Sequence, residues 1–148
     1  MSPDVSEFVG TFTPRLDEKS RLFLPAKFRP QLEGGVMLSR GQEKCIYGWT
    51  LESWSAFTAR VREAPITNAR VRKFARLLGS GASREMPDKQ GRVTIPAVLR
   101  SYAAIDREVT VIGALNRFEI WDTARWEEFS EAGEDDFSDV DEEGIFTF

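Results

Sequence analysis

Two stretches decide the fold: Asp17-Glu-Lys-Ser-Arg21-Leu-Phe-Leu-Pro25-Ala-Lys-Phe-Arg29 and Asp88-Lys-Gln-Gly-Arg92-Val-Thr-Ile-Pro96-Ala-Val-Leu-Arg100. They are offset by 71 residues and are identical at five of thirteen positions, Asp17/Asp88, Arg21/Arg92, Pro25/Pro96, Ala26/Ala97 and Arg29/Arg100. Leu22/Val93, Leu24/Ile95 and Phe28/Leu99 keep apolar character. A second block follows at an offset of 72, where Trp49, Trp54 and Phe57 match Trp121, Trp126 and Phe129. A one-residue change of offset between blocks is what a loop insertion gives. Internal repetition of this kind makes the chain two similar halves.

The pattern within each half predicts its elements. Phe8 to Phe12 reads as extended. Leu22-Phe23-Leu24 and Val93-Thr94-Ile95 are short and β-rich, so they read as strands, ended by Pro25 and Pro96. Proline suits the first turn of a helix, which predicts short helices over Ala26–Leu32 and Ala97–Ala103. Val36-Met37-Leu38 and Val109–Ile112 are the next strands, Cys45–Trp49 and Arg117–Trp121 the last. Thr50 and Asp122 are then helix N-caps. Trp54/Phe57 and Trp126/Phe129, spaced i and i+3, share a helix face. Between the halves, Leu51–Glu63 reads as a helix broken by Pro65. A second helix, Ala69–Leu78, is capped by Thr67-Asn68 and ended by Gly79-Ser80-Gly81. Its apolar side is Val71, Phe74, Ala75 and Leu78. Arg70, Arg72, Lys73 and Arg76 lie on other faces, either as a solvated surface or as a basic patch for nucleic acid or an acidic neighbour. The expected organisation is a first half at 1–63, a helical connector at 64–78, a second half at 79–130 and a tail at 131–148.

Composition narrows the function. The chain has 148 residues, 41% of them apolar and 30% charged, which suits a globular protein and excludes wholesale disorder. No run approaches the roughly 18 apolar residues of a membrane span. Residues 1–7 lack the basic and apolar regions of a signal peptide, so a cytoplasmic location is expected. A single cysteine, Cys45, gives no disulfide framework or thiolate cluster. Histidine is absent, which removes Ser-His-Asp triads, Cys-His nucleophiles and His-ligated zinc. No phosphate-binding loop of the G-x-x-x-x-G-K-[ST] type occurs. An enzyme is therefore not expected, and neither is a cofactor or a metal.

Charge is unevenly spread. Of 24 acids and 20 bases, eight acids and no base fall in residues 131–148. The body is thus +4 and the tail −8, a division seen in nucleic-acid binders. The acidic stretch is short of core residues and is expected to be disordered, ending in the apolar Ile145-Phe146-Thr147-Phe148.

The repeated Asp and Arg, at i and i+4, flank a tight turn. Gly91 suits positive φ there, and Ser20 is a poorer substitute. In one reading the carboxylate only fastens the turn, capping backbone N–H groups and pairing with the arginine. In the other, the braced guanidinium also offers its remaining donors to phosphate or to guanine O6/N7. Arg15, Lys19 and Arg21 make the first turn basic, and Lys89, Gln90 and Arg92 do so in the second, where Lys reaches phosphate and Gln can reach adenine. The candidate DNA-binding residues are Arg15, Asp17, Lys19, Arg21, Asp88, Lys89, Gln90 and Arg92.

With these residues the chain resembles the MraZ family of bacterial transcriptional regulators, whose gene opens the division and cell-wall cluster. The resemblance spans roughly residues 7–130. It rests on Gly10 to Arg29, Leu38-Ser-Arg-Gly41, Pro65-Ile-Thr-Asn68, Asp88 to Pro96, and Phe118-Glu-Ile-Trp-Asp122 followed by Trp126. Each half is similar to the AbrB/MazE-type swapped-hairpin module. The resemblance implies an α+β fold, a pseudo-two-fold swapped-hairpin β-barrel with a helical connector and a C-terminal helix. It implies a nucleoid-associated homo-oligomer, an octameric ring, that binds double-stranded DNA at short direct repeats upstream of its own operon. The D-x-x-x-R turns would face the DNA. Ser20 replaces the glycine usual before the arginine, and Pro14 stands where many members have histidine. The alternative is an antitoxin-type protein-interaction module of the same fold.

Overall fold

The computed structural model describes residues 7–146. Among the described residues there are eight strands: β1 Thr11–Phe12, β2 Arg21–Phe23, β3 Val36–Arg40, β4 Ile46–Trp49, β5 Ser83–Glu85, β6 Arg92–Thr94, β7 Val109–Gly113 and β8 Phe118–Asp122. Five α-helices accompany them: α1 Leu51–Glu63, α2 Ala69–Gly81, α3 Ala97–Tyr102, α4 Thr123–Ser138 and α5 Glu142–Phe146.

The pairing shows how the halves interlock. Six strands form one antiparallel sheet in the order β1-β7-β8-β4-β3-β5, and β2 pairs β6 in a separate ribbon. Exchanging each strand for its repeat (β1 with β5, β3 with β7, β4 with β8) reverses this order and leaves it unchanged. The sheet therefore has pseudo-two-fold symmetry. Each half keeps its own hairpin, β3–β4 or β7–β8, and sends its first strand to the other half. The β2–β6 ribbon takes one strand from each half. This is the swapped-hairpin architecture.

Alternation along the strands fixes which side is core. Leu22 and Val93, paired across the ribbon, are buried, as are Leu24 and Ile95 beyond them. They join Leu38, Ile46, Val111 and Ile120 from the sheet in one contiguous core. Phe8, Phe28 and Phe118 stand at its centre, with ring centroids 4.9–5.7 Å apart. Burial of each such side chain contributes roughly 1.5–3 kcal/mol. Both halves supply the cluster, so neither owns a complete core.

The tryptophan blocks dock the helix after each last strand. Trp49 stacks on Phe57 at 4.8 Å, and Trp121 meets Phe129 at 5.0 Å. Thr50 accepts the Ser53 N–H and Asp122 the Arg125 N–H, the expected caps. Asn68 caps α2 by accepting the Arg70 and Val71 N–H groups.

Three local expectations need correction. Ala26–Leu32 is a turn followed by a 3-10 segment, Arg29–Leu32, whereas its repeat forms the α-helix α3. Pro30 is the reason: it lacks an N–H and disfavours helical backbone at Arg29, and Ser101 stands in its place in the repeat. α2 runs past the expected glycine stop to Gly81 because Arg40 Nη1 donates to the Leu77 carbonyl at 2.7 Å and reaches Ser80 Oγ at 3.2 Å. The segment expected to be a disordered tail from residue 131 instead continues α4 to Ser138, and α5 follows. Glu and Ala are strong helix formers, and no proline interrupts them. Thr147 and Phe148, the end of the apolar segment Ile145–Phe148, lie outside the described residues.

Candidate nucleic-acid interface

Each D-x-x-x-R turn closes on its own carboxylate. Asp17 Oδ1 accepts the backbone N–H groups of Lys19 and Arg21, both at 2.9 Å, and Oδ2 accepts Arg21 Nε–H at 2.7 Å. Asp88 repeats this: Oδ1 accepts Gln90 and Arg92 N–H at 2.9 Å, and Oδ2 accepts Arg92 Nε–H at 2.8 Å. The backbone closes too, since Ser20 N–H donates to Asp17 O and Gly91 N–H to Asp88 O, each at 2.9 Å. The spacing of four thus lets one carboxylate hold both the turn and the arginine.

The turns lie side by side because the ribbon is shared between halves. Ile95 N–H donates to Ser20 O, and Leu24 N–H donates to Gly91 O, each at 2.9 Å. Arg92 Nη1 comes within 3.8 Å of Asp17 Oδ2 in the other turn. With Leu22 and Val93 inward, the ribbon's outer side carries Arg21 opposite Thr94 and Phe23 opposite Arg92. The Arg92 guanidinium lies 5.6 Å from the Phe23 ring centroid. Arg21 and Arg92 keep 29% and 21% of their side-chain surface exposed, so neither is sealed in the core. Asp takes each Nε, and a guanidinium has further Nη donors to offer.

The structure brings seven of the eight candidate residues together in these two turns: Asp17, Lys19, Arg21, Asp88, Lys89, Gln90 and Arg92. Lys89 is exposed at the second turn's tip, and Arg15 is exposed just before the first, where its backbone bridges Glu108. Sequence reading missed Phe23 and Thr94, although the alternation Arg21-Leu22-Phe23 and Arg92-Val93-Thr94 could have placed both outward. Arg29 and Arg100, repeated like the signature arginines, brace the fold: their Nε–H groups donate to Leu24 O at 2.9 Å and Ile95 O at 3.0 Å.

Gly91 has φ +77, and a Cβ there would come 2.5 Å from Arg29 Nε. Its counterpart Ser20 holds φ 59. Left-handed backbone at a non-glycine residue costs on the order of 1–3 kcal/mol. Ser20→Gly is therefore expected to raise stability by about 1 kcal/mol, and Gly91→Ala to lower it by at least as much. Urea denaturation of both variants checks this; equal midpoints for all three proteins would contradict it.

Both aspartates have their pKa held below the ordinary 3.8. The chief cause is the arginine's backbone N–H, aided by its guanidinium and opposed by partial desolvation. A depressed carboxylate pKa means the turn's stabilisation is complete above the ordinary value and is lost as pH falls through the lower folded value. Carboxyl carbon shifts followed by NMR are expected to titrate below 3.8 at Asp17 and Asp88. Titration at or above that value would mean the braces do not persist in solution.

Two tandem swapped hairpins with a carboxylate-braced arginine turn in each define a class of β-ribbon module. A family described as "MraZ protein, putative antitoxin-like" matches residues 8–77 and again residues 78–147. Similar proteins include three named "Transcriptional regulator MraZ". The one from Kocuria rhizophila is 51% identical over 93% of this chain and 96% of its own length. The Micrococcus luteus protein is 52% identical over 94% and 99%, and that of Salinispora arenicola 50% identical over 93% and 96%. The chain belongs to the MraZ family, a family of transcriptional regulators and not of enzymes. Its two matched units divide at residue 77, so α2 falls across the division. Among the described residues no helix is long and apolar enough to cross a membrane, and no cluster of acidic or cysteine side chains could hold a metal ion.

Proposed function

We propose that this chain regulates transcription by binding double-stranded DNA at short direct repeats upstream of its own operon, as a ring-shaped homo-oligomer associated with the nucleoid. The observation that carries the reading is the outer side of the β2–β6 ribbon. There two guanidiniums, each held by its own aspartate, stand in adjacent turns beside exposed lysines and Gln90. A two-stranded ribbon is narrow enough for the major groove. In this reading Arg21 and Arg92 read guanine or grip phosphate. Arg15, Lys19 and Lys89 contact phosphate, and Gln90 contacts a base edge. Asp17 and Asp88 position the arginines. The cell-wall and division gene cluster is the target that the family resemblance implies.

A ring suits this chemistry. A few phosphate contacts per copy bind weakly and are lost quickly in salt. Several identical ribbons on repeated sites gain roughly 10²–10⁴-fold through effective concentration. A mobility shift on the duplex upstream of the chain's own gene tests the reading. The expected result is retention that falls linearly on a log–log plot against salt, with loss of binding when the repeat spacing is altered. No shift at low salt would contradict it. The family's antitoxin-like description favours one alternative, a protein-neutralising module. A stoichiometric protein complex that forms without DNA, together with a negative shift, would establish that alternative.

A further inference from the structure

The connector leaves an apolar surface uncovered. α1 and α2 meet along a groove of about 310 Å³ whose apolar walls are Trp54, Val61, Ile66, Val71, Ala75 and Leu78. Of the expected apolar side of α2 only Leu78 is buried, and Ile66 is 76% exposed. Arg62 and Arg72 stand on the rim. Arg62 Nη1 donates to Thr58 Oγ1, and Arg72 Nη1 to the carbonyls of Ile66 and Thr67. These bonds orient both guanidiniums and leave them further donors. Arg60 and Arg70 continue the basic rim along an adjoining cleft. The ion pairs of the described residues lie elsewhere, so none of these four arginines meets a carboxylate.

The complementary surface is on the same chain. Residues 131–143 hold eight acids and no base. Interleaved with them and just beyond are Phe137 (80% exposed), Val140 and Ile145. α5 takes the place after α4 that α2 takes after α1, but it runs only Glu142–Phe146. α2 packs on β3, whereas α4 packs on β7 and β8 in the other half of the sheet.

We propose that the acidic and apolar segment 136–145 of one copy docks in the α1–α2 groove of a second copy. Its carboxylates meet the rim arginines and its apolar side chains enter the groove. Groove and segment are different surfaces, so the contact is head-to-tail and repeats from copy to copy. It supplies the joint that the proposed ring requires, and it rests on that reading.

The test mixes full-length Ile66→Cys protein with full-length Ile145→Cys protein under diamide. Cys45 is buried and does not compete. The expected result is a covalent pair of the two chains. Its yield should fall at least tenfold when Arg62→Glu and Arg72→Glu are added to the first chain. It should recover when Asp136→Arg and Glu142→Arg are added to the second. Light scattering on the wild-type protein separates the possible failures. No covalent pair from an oligomeric protein overturns this joint and leaves the ring standing. A monomeric wild-type protein overturns both. A disulfide closed within one chain carrying both cysteines, with none between chains, places the segment on its own groove and also overturns the proposal.

Discussion

Arg21→Ala combined with Arg92→Ala is expected to leave the protein folded and assembled while removing its affinity for DNA. Neither guanidinium contributes to the core, because Leu22 and Val93 face inward while the arginines face out. Asp17 and Asp88 keep 25% and 37% of their side-chain surface in solvent, so water can solvate them once their partners are gone. Their bonds to backbone N–H groups still close the turns. A bidentate arginine is worth about 1–3 kcal/mol at a base edge. Two per copy give a loss on the order of 30-fold to 10⁴-fold. Fluorescence anisotropy on the upstream duplex reads the loss, and circular dichroism checks the fold. Arg→Lys at both positions is expected to fall between, since it keeps charge and loses the planar fork. Wild-type affinity in the double alanine variant would reduce the motif to a turn fastener.

The second large effect concerns folding. Residues 1–81 and 82–148, produced separately, are expected to have no stable folded monomer. The first fragment loses β7, which β1 pairs with, and β6, which β2 pairs with. The second loses β3, the partner of β5. Each keeps a single hairpin, β3–β4 with α1 and α2 or β7–β8 with α3, α4 and α5, and a lone two-stranded hairpin is marginal in water. The aromatic centre is split as well, with Phe8 and Phe28 in one fragment and Phe118 in the other. Each fragment should be unfolded or paired with a second copy of itself, and mixing the two should restore the near-ultraviolet signal of the intact chain. A folded monomeric fragment at micromolar concentration would show that the exchange of strands is not needed for stability.

The repeat made much of this legible. Matching Trp49/Trp121 and Phe57/Phe129 located the strand–helix junctions, and Thr50 and Asp122 located the caps, because these signals are local. The Asp-x-x-x-Arg spacing located the two carboxylate-braced turns for the same reason, since every bond within each turn spans four residues or fewer. The exchange of β1 and β5 between halves was not legible from pattern alone and came through family resemblance. A two- or three-residue strand carries no signal of its partner. The side-by-side placement of the turns depends on the Leu24–Gly91 and Ser20–Ile95 backbone bonds, which join residues far apart in the chain. The outward signal at Phe23 is weak in the sequence because its neighbours Leu22 and Leu24 are apolar and an exposed phenylalanine is unusual on a short strand. In the acidic stretch the helix propensity of Glu and Ala prevails, through Ser138, over the charge density that predicts disorder.

A structure of the protein bound to its upstream duplex tests the central claim most directly. The expected result places the β2–β6 ribbon in the major groove, with the free guanidinium nitrogens of Arg21 and Arg92 within hydrogen-bond distance of guanine edges or phosphate oxygens and their Nε–H groups still on Asp17 and Asp88. DNA lying instead along Arg70, Lys73 and Arg76 of α2, with both braced arginines facing solvent, would contradict it.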